Sequence, residues 1–172
     1  MASKKRRIKE DYEKSADTYD SRYKDIQFEK YSIMLSKIAL KEPILDLGCG
    51  TGLLQEFLGR KIKLFGCDFS EKMLEKAKAR GEKTKFCNLN TELPYANEKF
   101  ATILSFTVLQ NVEEQENFLA GAKRILKKDG IFVLTTLKKV TDIKKLKKQI
   151  ENYFIIQELM DCGEDFGFVL AV

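Results

Sequence analysis

Histidine is absent from this 172-residue chain, and its absence excludes several kinds of chemistry. Imidazole is the commonest general base near neutral pH and a common metal ligand. A Ser-His-Asp hydrolase, a histidine-ligated zinc enzyme and a histidine proton shuttle are therefore excluded. Any reaction of this protein must either need no imidazole or take its driving force from a cofactor.

Cysteine is also sparse: the four residues are scattered, and no two form a C-x-x-C pair. Three of them lie in or beside predicted buried strands, where a free cysteine behaves as a small hydrophobic side chain. We therefore expect these cysteines to be structural rather than to form a metal or redox site. They are Cys49, Cys67, Cys87 and Cys162.

Long apolar runs are missing as well. No stretch approaches the roughly 18 consecutive apolar residues that a membrane-spanning helix needs, so we expect no membrane contact. The basic run at residues 4–7 has no apolar run behind it, which excludes a secretory signal and favours a cytoplasmic protein. The length, without repeats or a linker, predicts a single domain over residues 1–172.

Positive charge is in excess, with a net charge of +5, and much of it lies between Lys123 and Gln149. A basic surface can follow the phosphates of a nucleic acid. Lysine-rich helix faces are also common simply as solvated surfaces. Contact with RNA through the lysine-rich segment 138–148 is therefore one of two interpretations that remain open.

Strand-like and helix-like patterns alternate along most of the chain. Predicted strands cover residues 44–47, 63–67, 84–89, 100–106, 131–136, 154–160 and 166–172. Predicted helices cover residues 12–40 (as one or two helices), 52–58, 70–81, 113–127 and 142–153. Alternation of this kind predicts a parallel sheet covered on both faces, and the two final strands predict an antiparallel hairpin at one edge. The fold class is α/β, a three-layer sandwich around a mostly parallel seven-stranded sheet.

A glycine loop follows the first predicted strand, and an acid stands on each side of it. Glycines let a ligand approach the main chain closely, and ligands of parallel sheets bind beyond the carboxyl ends of the strands. Asp46 lies in the strand before the loop, and Asp68 ends the second strand, where a carboxylate can accept hydrogen bonds from ribose hydroxyls. A structural turn with a surface Asp68 is the alternative.

Two cofactor classes use a strand, a glycine loop and a helix in this order. A dinucleotide site needs G-x-G-x-x-G, but Gly48, Gly50 and Gly52 have the spacing G-x-G-x-G, and Leu53 occupies the place of the last glycine. An acid at position 46 suits a ligand with a cationic or ammonium group better than a diphosphate. A nicotinamide-dependent dehydrogenase remains the enzymatic rival.

The residues 44–52 and 66–74 resemble the first two motifs of the class I S-adenosylmethionine-dependent methyltransferases. The chain is most similar to the small methyltransferase-domain branch that includes ubiquinone- and menaquinone-biosynthesis-type enzymes. Residues 93–101 and 124–131 resemble the stretches before the fourth and fifth strands of that branch. Tyr12 and residues 16–20 resemble its N-terminal helix, which covers the cofactor. The resemblance implies a Rossmann-like core over residues 41–172 with an N-terminal helical lid over residues 1–40.

The resemblance also implies a cofactor, S-adenosyl-L-methionine (product S-adenosyl-L-homocysteine), and a set of residues that bind it. We predict that they are Tyr12, Tyr19, Asp46, Gly48, Cys49, Gly50, Gly52, Asp68, Phe69, Met73, Asn88, Leu89 and Phe106. No metal ligand is predicted.

The chain departs from the family pattern where relatives bind adenine and where they carry histidines. Asn88 stands where the family usually has Asp to accept a hydrogen bond from the adenine amino group, and an amide oxygen can still accept that bond. Ala101 replaces another usual Asp. After the fourth strand, residues 107–111 contain none of the histidines found in many relatives.

Methyl transfer from a sulfonium requires mainly that the lone pair of the acceptor is aligned with the bond between sulfur and the methyl carbon. A general base is required only when the acceptor must lose its proton early. Candidate bases are Tyr12, Asp17, Tyr19, Tyr23 and Glu113. Gln110 and Asn111 either orient an acceptor or cap the following helix; with Tyr19 they are the catalytic candidates.

The methyl acceptor is not identified by any motif in the chain. A small molecule, a protein side chain or a tRNA or other RNA base all fit. The alternative outside enzymes is a non-catalytic nucleotide- or RNA-binding protein that keeps the same fold.

Overall fold

The structure, a computed structural model, describes residues 18–172 of the chain. Over that range the helices are α1 (Tyr19–Leu35), α2 (Leu53–Leu58), α3 (Glu71–Arg80), α4 (Gln115–Ile125) and α5 (Ile143–Glu151). The strands are β1 (Ile44–Leu47), β2 (Leu64–Asp68), β3 (Lys83–Phe86), β4 (Phe100–Ser105), β5 (Leu126–Leu137), β6 (Ile155–Cys162) and β7 (Asp165–Ala171). Single 3-10 turns lie at Leu109–Asn111 and Lys138–Val140.

The strands of the described part form one seven-stranded sheet in the order β3-β2-β1-β4-β5-β7-β6. The pairs among β1 to β5 are parallel, whereas β7 runs antiparallel to both β5 and β6. The predicted fold class is therefore confirmed, including the antiparallel hairpin at one edge. The order changes direction at β1 and β4, which is where parallel sheets open a crevice for ligands.

The two faces of the sheet have separate apolar cores, which makes the molecule three-layered. Leu45 and Leu47 of β1 pack with α4 and α5, whereas Ile44 packs with α1 and α2 on the opposite face. Because side chains alternate along a strand, Asp46 projects to the same face as Ile44. This alternation places a buried carboxylate beneath α1.

Local signals explain several of the element ends. Ser70 caps α3 by accepting a hydrogen bond from the Met73 N–H, and Gly81 ends the same helix in a left-handed conformation. Asp142 caps α5 by accepting from the backbone N–H groups of Lys144 and Lys145. No helix among residues 18–172 is long and apolar enough to cross a membrane.

Several predicted boundaries are wrong, and the largest differences concern α4 with β5, β3 and α1. The helix α4 ends at Ile125 instead of residue 127, because Leu126 is already extended and pairs with Phe100 of β4. Residues 128–130 therefore already belong to β5, which covers Leu126–Leu137. The strand β3 covers Lys83–Phe86 rather than 84–89, so residues 87–89 leave the sheet. The helix α1 ends at Leu35 instead of residue 40, and residues 12–17 of its predicted range lie outside the described part.

The cysteines differ from the expectation of four separate side chains. Cys67 at the end of β2 and Cys87 just after β3 form a disulfide, with their Cα atoms 5.7 Å apart. Cys49 and Cys162 are free and buried. The pair was missed because its partners are distant in sequence and become neighbours only when β3 lines up beside β2.

Candidate functional site

A cavity opens at the carboxyl ends of β1, β2 and β4, where the sheet order changes direction. We call it the open cavity. Its wall is formed by Tyr19, Gly48, Gly50, Asp68, Phe69, Asn88, Leu89, Asn90, Phe106, Thr107, Val108, Asn111 and Val112.

An inner cavity adjoins it beneath α1 and shares part of its wall. It is lined by Tyr19, Gln27, Tyr31, Asp46, Gly48, Cys49, Gly50, Thr51, Leu53 and Phe106. The shared residues include the glycine loop and Tyr19, so a single elongated ligand can contact both cavities.

The glycine loop is fixed to β2 and to Asp68 by backbone hydrogen bonds. The N–H groups of Gly48 and Cys49 both donate to the Cys67 carbonyl oxygen, at 2.9 and 3.0 Å. The Gly50 N–H donates to Asp68 Oδ2 at 3.0 Å. Gly50 has a φ of +52°, and a Cβ there would meet nothing within 4 Å, so its main chain faces open space. The loop therefore leaves room for a ligand directly against its backbone.

Asp68 is largely buried and is oriented by two main-chain donors. Its Oδ2 accepts from Gly50, and its Oδ1 accepts from the Ser70 N–H at 3.0 Å. A carboxylate has about four acceptor positions, so its oxygens can accept several hydrogen bonds at once. A carboxylate at this place is the type of group that accepts hydrogen bonds from ribose hydroxyls, and that role of Asp68 stays a prediction.

Asn88 lies across the open cavity from the glycine loop. Its Oδ1 accepts a hydrogen bond from the Asn90 N–H at 3.2 Å. Asn90 in turn accepts from the N–H groups of Glu113 and Glu114, at 2.7 and 3.0 Å. These bonds join the segment after β3 to the segment before α4 and fix the wall that carries Asn88.

The acidic groups around the inner cavity are strongly perturbed. Burial raises the pKa of Asp46 well above its usual range, and the nearby Glu82 and Asp68 carboxylates raise it further. Burial likewise raises the pKa of Glu82, to about 8, and that of Tyr19, to about 12. A cluster of buried acids of this kind favours a ligand with a positive charge.

Gln27 contributes an unpaired acceptor to the same cavity. Its side chain is 6% exposed, and its Oε1 has no hydrogen-bond partner. Unsatisfied buried oxygens are rare and costly. The amide of Gln27 also hydrogen-bonds the Tyr19 hydroxyl, which lowers the pKa of Tyr19 against the larger effect of burial. An oxygen of this kind beside Asp46 is suited to an ammonium group.

The predicted site residues fall into four groups, of which the last, Gly52 and Met73, lines neither cavity. Most of them line the open cavity: Tyr19, Gly48, Gly50, Asp68, Phe69, Asn88, Leu89 and Phe106. Asp46 and Cys49 line only the inner cavity. Tyr12 lies outside the described residues, as does the candidate base Asp17.

The structure does not place Gly52 or Met73 at either cavity wall, which corrects two predictions. A Cβ on Gly52 would collide with the Ala77 backbone, so this glycine permits close packing against α3. Met73 is fully buried on the face of α3 that packs inward. Gly52 therefore contacts α3, and Met73 belongs to the buried face of that helix.

The catalytic candidates also separate. Tyr19 and Asn111 line the open cavity, whereas Gln110 lies in a groove on the other side of the 3-10 turn. Its Nε2 donates to the Thr107 carbonyl oxygen at 2.7 Å, so Gln110 does not cap the following helix. Tyr23 and Glu113 are exposed side chains outside both walls.

Sequence reasoning missed the inward-facing Gln27 and, after β4, Thr107. Gln27 lies four residues before Tyr31 and eight after Tyr19, so helical spacing places it on the same face as two tyrosines of the wall. Thr107 comes just after the fourth strand, at the edge where ligands bind. The helical spacing of Gln27 and the position of Thr107 after a strand could be read from the sequence. Many other residues share these features, so neither feature identifies a site residue until the fold is known.

Arg80 fixes the glycine loop from outside the cavity. Its Nη1 donates to the Thr51 carbonyl oxygen at 2.7 Å, its Nη2 to Asp20 Oδ2 at 2.5 Å, and its Nε to Glu56 Oε2 at 3.0 Å. Thr51 Oγ1 also donates to Asp20, at 2.6 Å. The guanidinium therefore joins α1, α2 and α3 at the loop.

We expect Arg80→Lys to weaken cofactor binding by about tenfold, because a lysine ammonium cannot reproduce the planar fork of three bonds. Calorimetric titration with S-adenosyl-L-homocysteine measures the change. The exposed Arg22→Lys on α1 is the matched control. Equal affinity in the Arg80 and Arg22 variants would show that the loop does not depend on this network.

The fold and the two cavities are suited to an elongated ligand that carries a nucleoside and a positive charge, bound at the edge of a parallel sheet. A family model described as "Methyltransferase domain" matches residues 45–134. The chain belongs to this methyltransferase family, and its cofactor is S-adenosyl-L-methionine.

Two curated relatives match parts of the chain. An uncharacterized protein of Methanocaldococcus jannaschii is 33% identical over 145 residues, covering 83% of this chain and 56% of the relative. A ubiquinone biosynthesis O-methyltransferase of Pelagibacter ubique is 34% identical over 101 residues, covering 56% of this chain and 42% of the relative. The chain thus spans about half the length of these curated relatives.

Similarity of fold extends to a protein solved in complex with the Trm112 methyltransferase activator of Haloferax volcanii. The TM-score is 0.79 at 16% identity, covering 93% of this chain and 96% of the other. At that identity the likeness concerns the fold alone.

The residues present fit S-adenosyl-L-methionine on three structural grounds. The main chain of Gly50 faces open space, the Asp68 carboxylate lines the open cavity beside it, and the Gln27 oxygen with the Asp46 carboxyl can hold an ammonium group. The buried acids around the inner cavity suit the positive charge of the cofactor.

Proposed function

We propose that this protein is an S-adenosyl-L-methionine-dependent methyltransferase that acts on a small molecule, a protein side chain or an RNA base. The observation that carries the proposal is the pair of joined cavities, with Asp68 in one and Asp46 with the unpaired Gln27 oxygen in the other. Together they supply a ribose acceptor and an ammonium acceptor on either side of the glycine loop.

When bound, the cofactor supplies a methyl group that is already activated by its sulfonium charge. The residues of this chain need mainly to orient the two reactants and to exclude water. Asp68 and Asn88 hold the nucleoside end, Asp46 and Gln27 hold the amino-acid end, and Phe106 lines the region where the two cavities meet.

Calorimetric titration with S-adenosyl-L-methionine, S-adenosyl-L-homocysteine and NAD tests cofactor choice. We expect dissociation constants on the order of micromolar for the first two and no binding of NAD. Failure to bind either sulfur compound would overturn the proposal, and binding of NAD alone would favour a dehydrogenase.

Methyl-labelled cofactor then tests transfer. Protein, RNA and metabolite fractions from cells that lack this protein are incubated with it, and we expect label in one fraction. Cofactor binding without any labelled fraction, with and without an added Trm112 protein, would favour a non-catalytic nucleotide-binding protein. The Trm112 arm is included because a structural neighbour binds that activator.

RNA remains a proposed acceptor because of the lysines at residues 138–148. Lys144, Lys145 and Lys148 on α5 are exposed, as is Lys139 before it. An RNA acceptor held by these side chains predicts that tRNA binding weakens steeply with added salt. Salt-insensitive binding or no binding would leave a metabolite or a protein as the acceptor.

Gln27→Leu should weaken binding of S-adenosyl-L-methionine and S-adenosyl-L-homocysteine about tenfold, because the ammonium group loses a buried acceptor. Methylthioadenosine lacks the amino-acid end, so its affinity should stay within about twofold. Calorimetry on the three ligands measures the difference. An equal loss for all three ligands would show that Gln27 only shapes the cavity.

A further inference from the structure

Thr107, in the wall of the open cavity, has an unusual backbone conformation. Its φ is +58°, in the left-handed region that β-branched residues rarely adopt. Strained residues of this kind persist only where the surrounding structure holds them, and they cluster at functional sites. Thr107 comes just after β4. It lies at the carboxyl ends of the parallel strands, where the glycine loop follows β1.

Five hydrogen bonds hold Thr107 in this conformation, one of them from its N–H to the Thr135 carbonyl oxygen at 3.2 Å. Its N–H donates to Thr135 Oγ1 at 2.9 Å, and its carbonyl oxygen accepts from Gln110. Its hydroxyl oxygen accepts from Lys30 Nζ at 2.6 Å, and the hydroxyl donates its hydrogen to Asp165 Oδ2 at 2.8 Å. The direction of the hydroxyl is therefore fixed.

Lys30 and Asp165 form a buried ion pair behind Thr107. Lys30 Nζ lies 3.1 Å from Asp165 Oδ1, and the two side chains are 3% and 0% exposed. Thr135 Oγ1 also donates to Asp165 Oδ2, at 2.8 Å. A buried ion pair gives little stability beyond that of an apolar pair of the same shape. Its location against a strained cavity-lining residue points to a role in the site.

We propose that Thr107 is a catalytic residue whose hydroxyl oxygen accepts a hydrogen bond from the N–H or O–H of the methyl acceptor. Lys30 and Asp165 are the positioning residues that fix this oxygen. The inference rests on the proposed methyltransferase function and specifies the chemical class of acceptor, an amine, amide or hydroxyl compound.

The hydrogen-bond directions carry this assignment. The single hydroxyl hydrogen of Thr107 is committed to Asp165, so toward the cavity the side chain can accept a hydrogen bond but cannot donate one. One lone pair is used by Lys30, and the second remains. Donation to a carboxylate also makes the hydroxyl oxygen a stronger acceptor. An acceptor that approaches as a thiolate or a carboxylate finds no donor here.

The methyl transfer requires no histidine, because every bond and proton is accounted for without one. The acceptor nitrogen or oxygen forms the new bond to the methyl carbon, and the sulfur keeps the electron pair of the broken bond as a neutral thioether. The proton of the acceptor leaves to water after transfer. Thr107 holds and orients the N–H or O–H group during this step and need not become protonated.

Thr107→Val and Thr107→Ser test the hydroxyl in the full-length protein. With the extract fraction that the wild type labels as acceptor, we expect Thr107→Val to lower kcat at least tenfold. Its affinity for S-adenosyl-L-homocysteine by calorimetry should stay within threefold. Thr107→Ser should recover kcat to within threefold. Thr84→Val, at a half-buried threonine on β3, is the matched control. Equal kcat in the Val and Ser variants would overturn the role of the hydroxyl.

The double variant Lys30→Met with Asp165→Asn tests the positioning residues. Each single change would bury an unpaired charge and threaten folding, whereas the double change removes both charges and keeps an oxygen that can accept from Thr107. We expect a melting temperature near that of the wild type with kcat lowered at least tenfold. Wild-type kcat in this folded variant would show that the ion pair is only structural.

The labelled product provides the last readout. Mass spectrometry should find the methyl group on nitrogen or oxygen, and a methyl group on sulfur or carbon would overturn the assignment of the acceptor class. Failure of the proposed function is distinguishable, because the wild type would then not bind S-adenosyl-L-homocysteine or would label no fraction.

Discussion

Asp68→Ala should weaken binding of S-adenosyl-L-methionine and S-adenosyl-L-homocysteine at least about 100-fold. Two ribose hydroxyls lose their acceptor, and hydrogen bonds to a charged group contribute about 1.5–3 kcal/mol each. The Gly50 N–H also loses its 3.0 Å bond, so the glycine loop is no longer held against the carboxylate. Calorimetric titration of both ligands measures the loss.

Asp68→Asn refines this prediction. Its amide oxygen can still accept a hydrogen bond, so we expect an intermediate loss of about tenfold. Asp129→Ala, at an exposed carboxylate on β5, is the matched control and should bind as the wild type does. Melting temperatures without ligand separate loss of binding from loss of fold. Wild-type affinity in Asp68→Ala would remove this residue from the site.

The part of the site that was predictable lies on the strands and their ends. An apolar run that ends at a glycine loop identified β1, an apolar run identified β4, and Asp68 follows the apolar run of β2. Because the carboxyl ends of parallel strands meet at one edge, Gly50 and Asp68 had to be neighbours once the strands were placed. Their hydrogen bond is thus a consequence of topology.

Residues that depend on packing between distant elements were not predictable in the same way. Gln27 faces the inner cavity only because α1 crosses the sheet above β1, and Thr107 is strained only because Lys30 and Asp165 meet behind it. The two sides of that ion pair lie near opposite ends of the chain. Helical spacing or strand alternation carries no information about such a contact.

Glu82 is the clearest example of a residue whose role is hidden in the sequence. It follows Gly81, the C-terminal cap of α3, where an acid would normally be exposed. Instead it is 3% exposed beneath the glycine loop, where the Cys49 thiol is a weak hydrogen-bonding neighbour of its carboxyl group and lowers its pKa against the larger effect of burial. A Cβ at Gly66 would collide with this carboxyl group, so the glycine makes room for it.

Stability should therefore fall as the pH rises toward 8. Burial raises the pKa of Glu82 from 4.5 to about 8, so between these values the folded state holds a proton that the unfolded state has released. The stabilising contribution is complete below about 4.5 and is lost as the pH rises through about 8. The slope is at most about 1.4 kcal/mol per pH unit.

Glu82→Gln isolates this carboxyl group, because the amide has a similar shape and does not titrate. We expect the melting temperature of the wild type to decrease between pH 5 and pH 9, and that of Glu82→Gln to decrease less. A residual slope should remain, since burial also raises the pKa of Asp46. Glu75→Gln, at an exposed acid on α3, should follow the wild type. Identical pH profiles for the Glu82 and Glu75 variants would mean that Glu82 is ionised in the folded protein. In that case a cation or water must accompany its carboxylate beneath the loop.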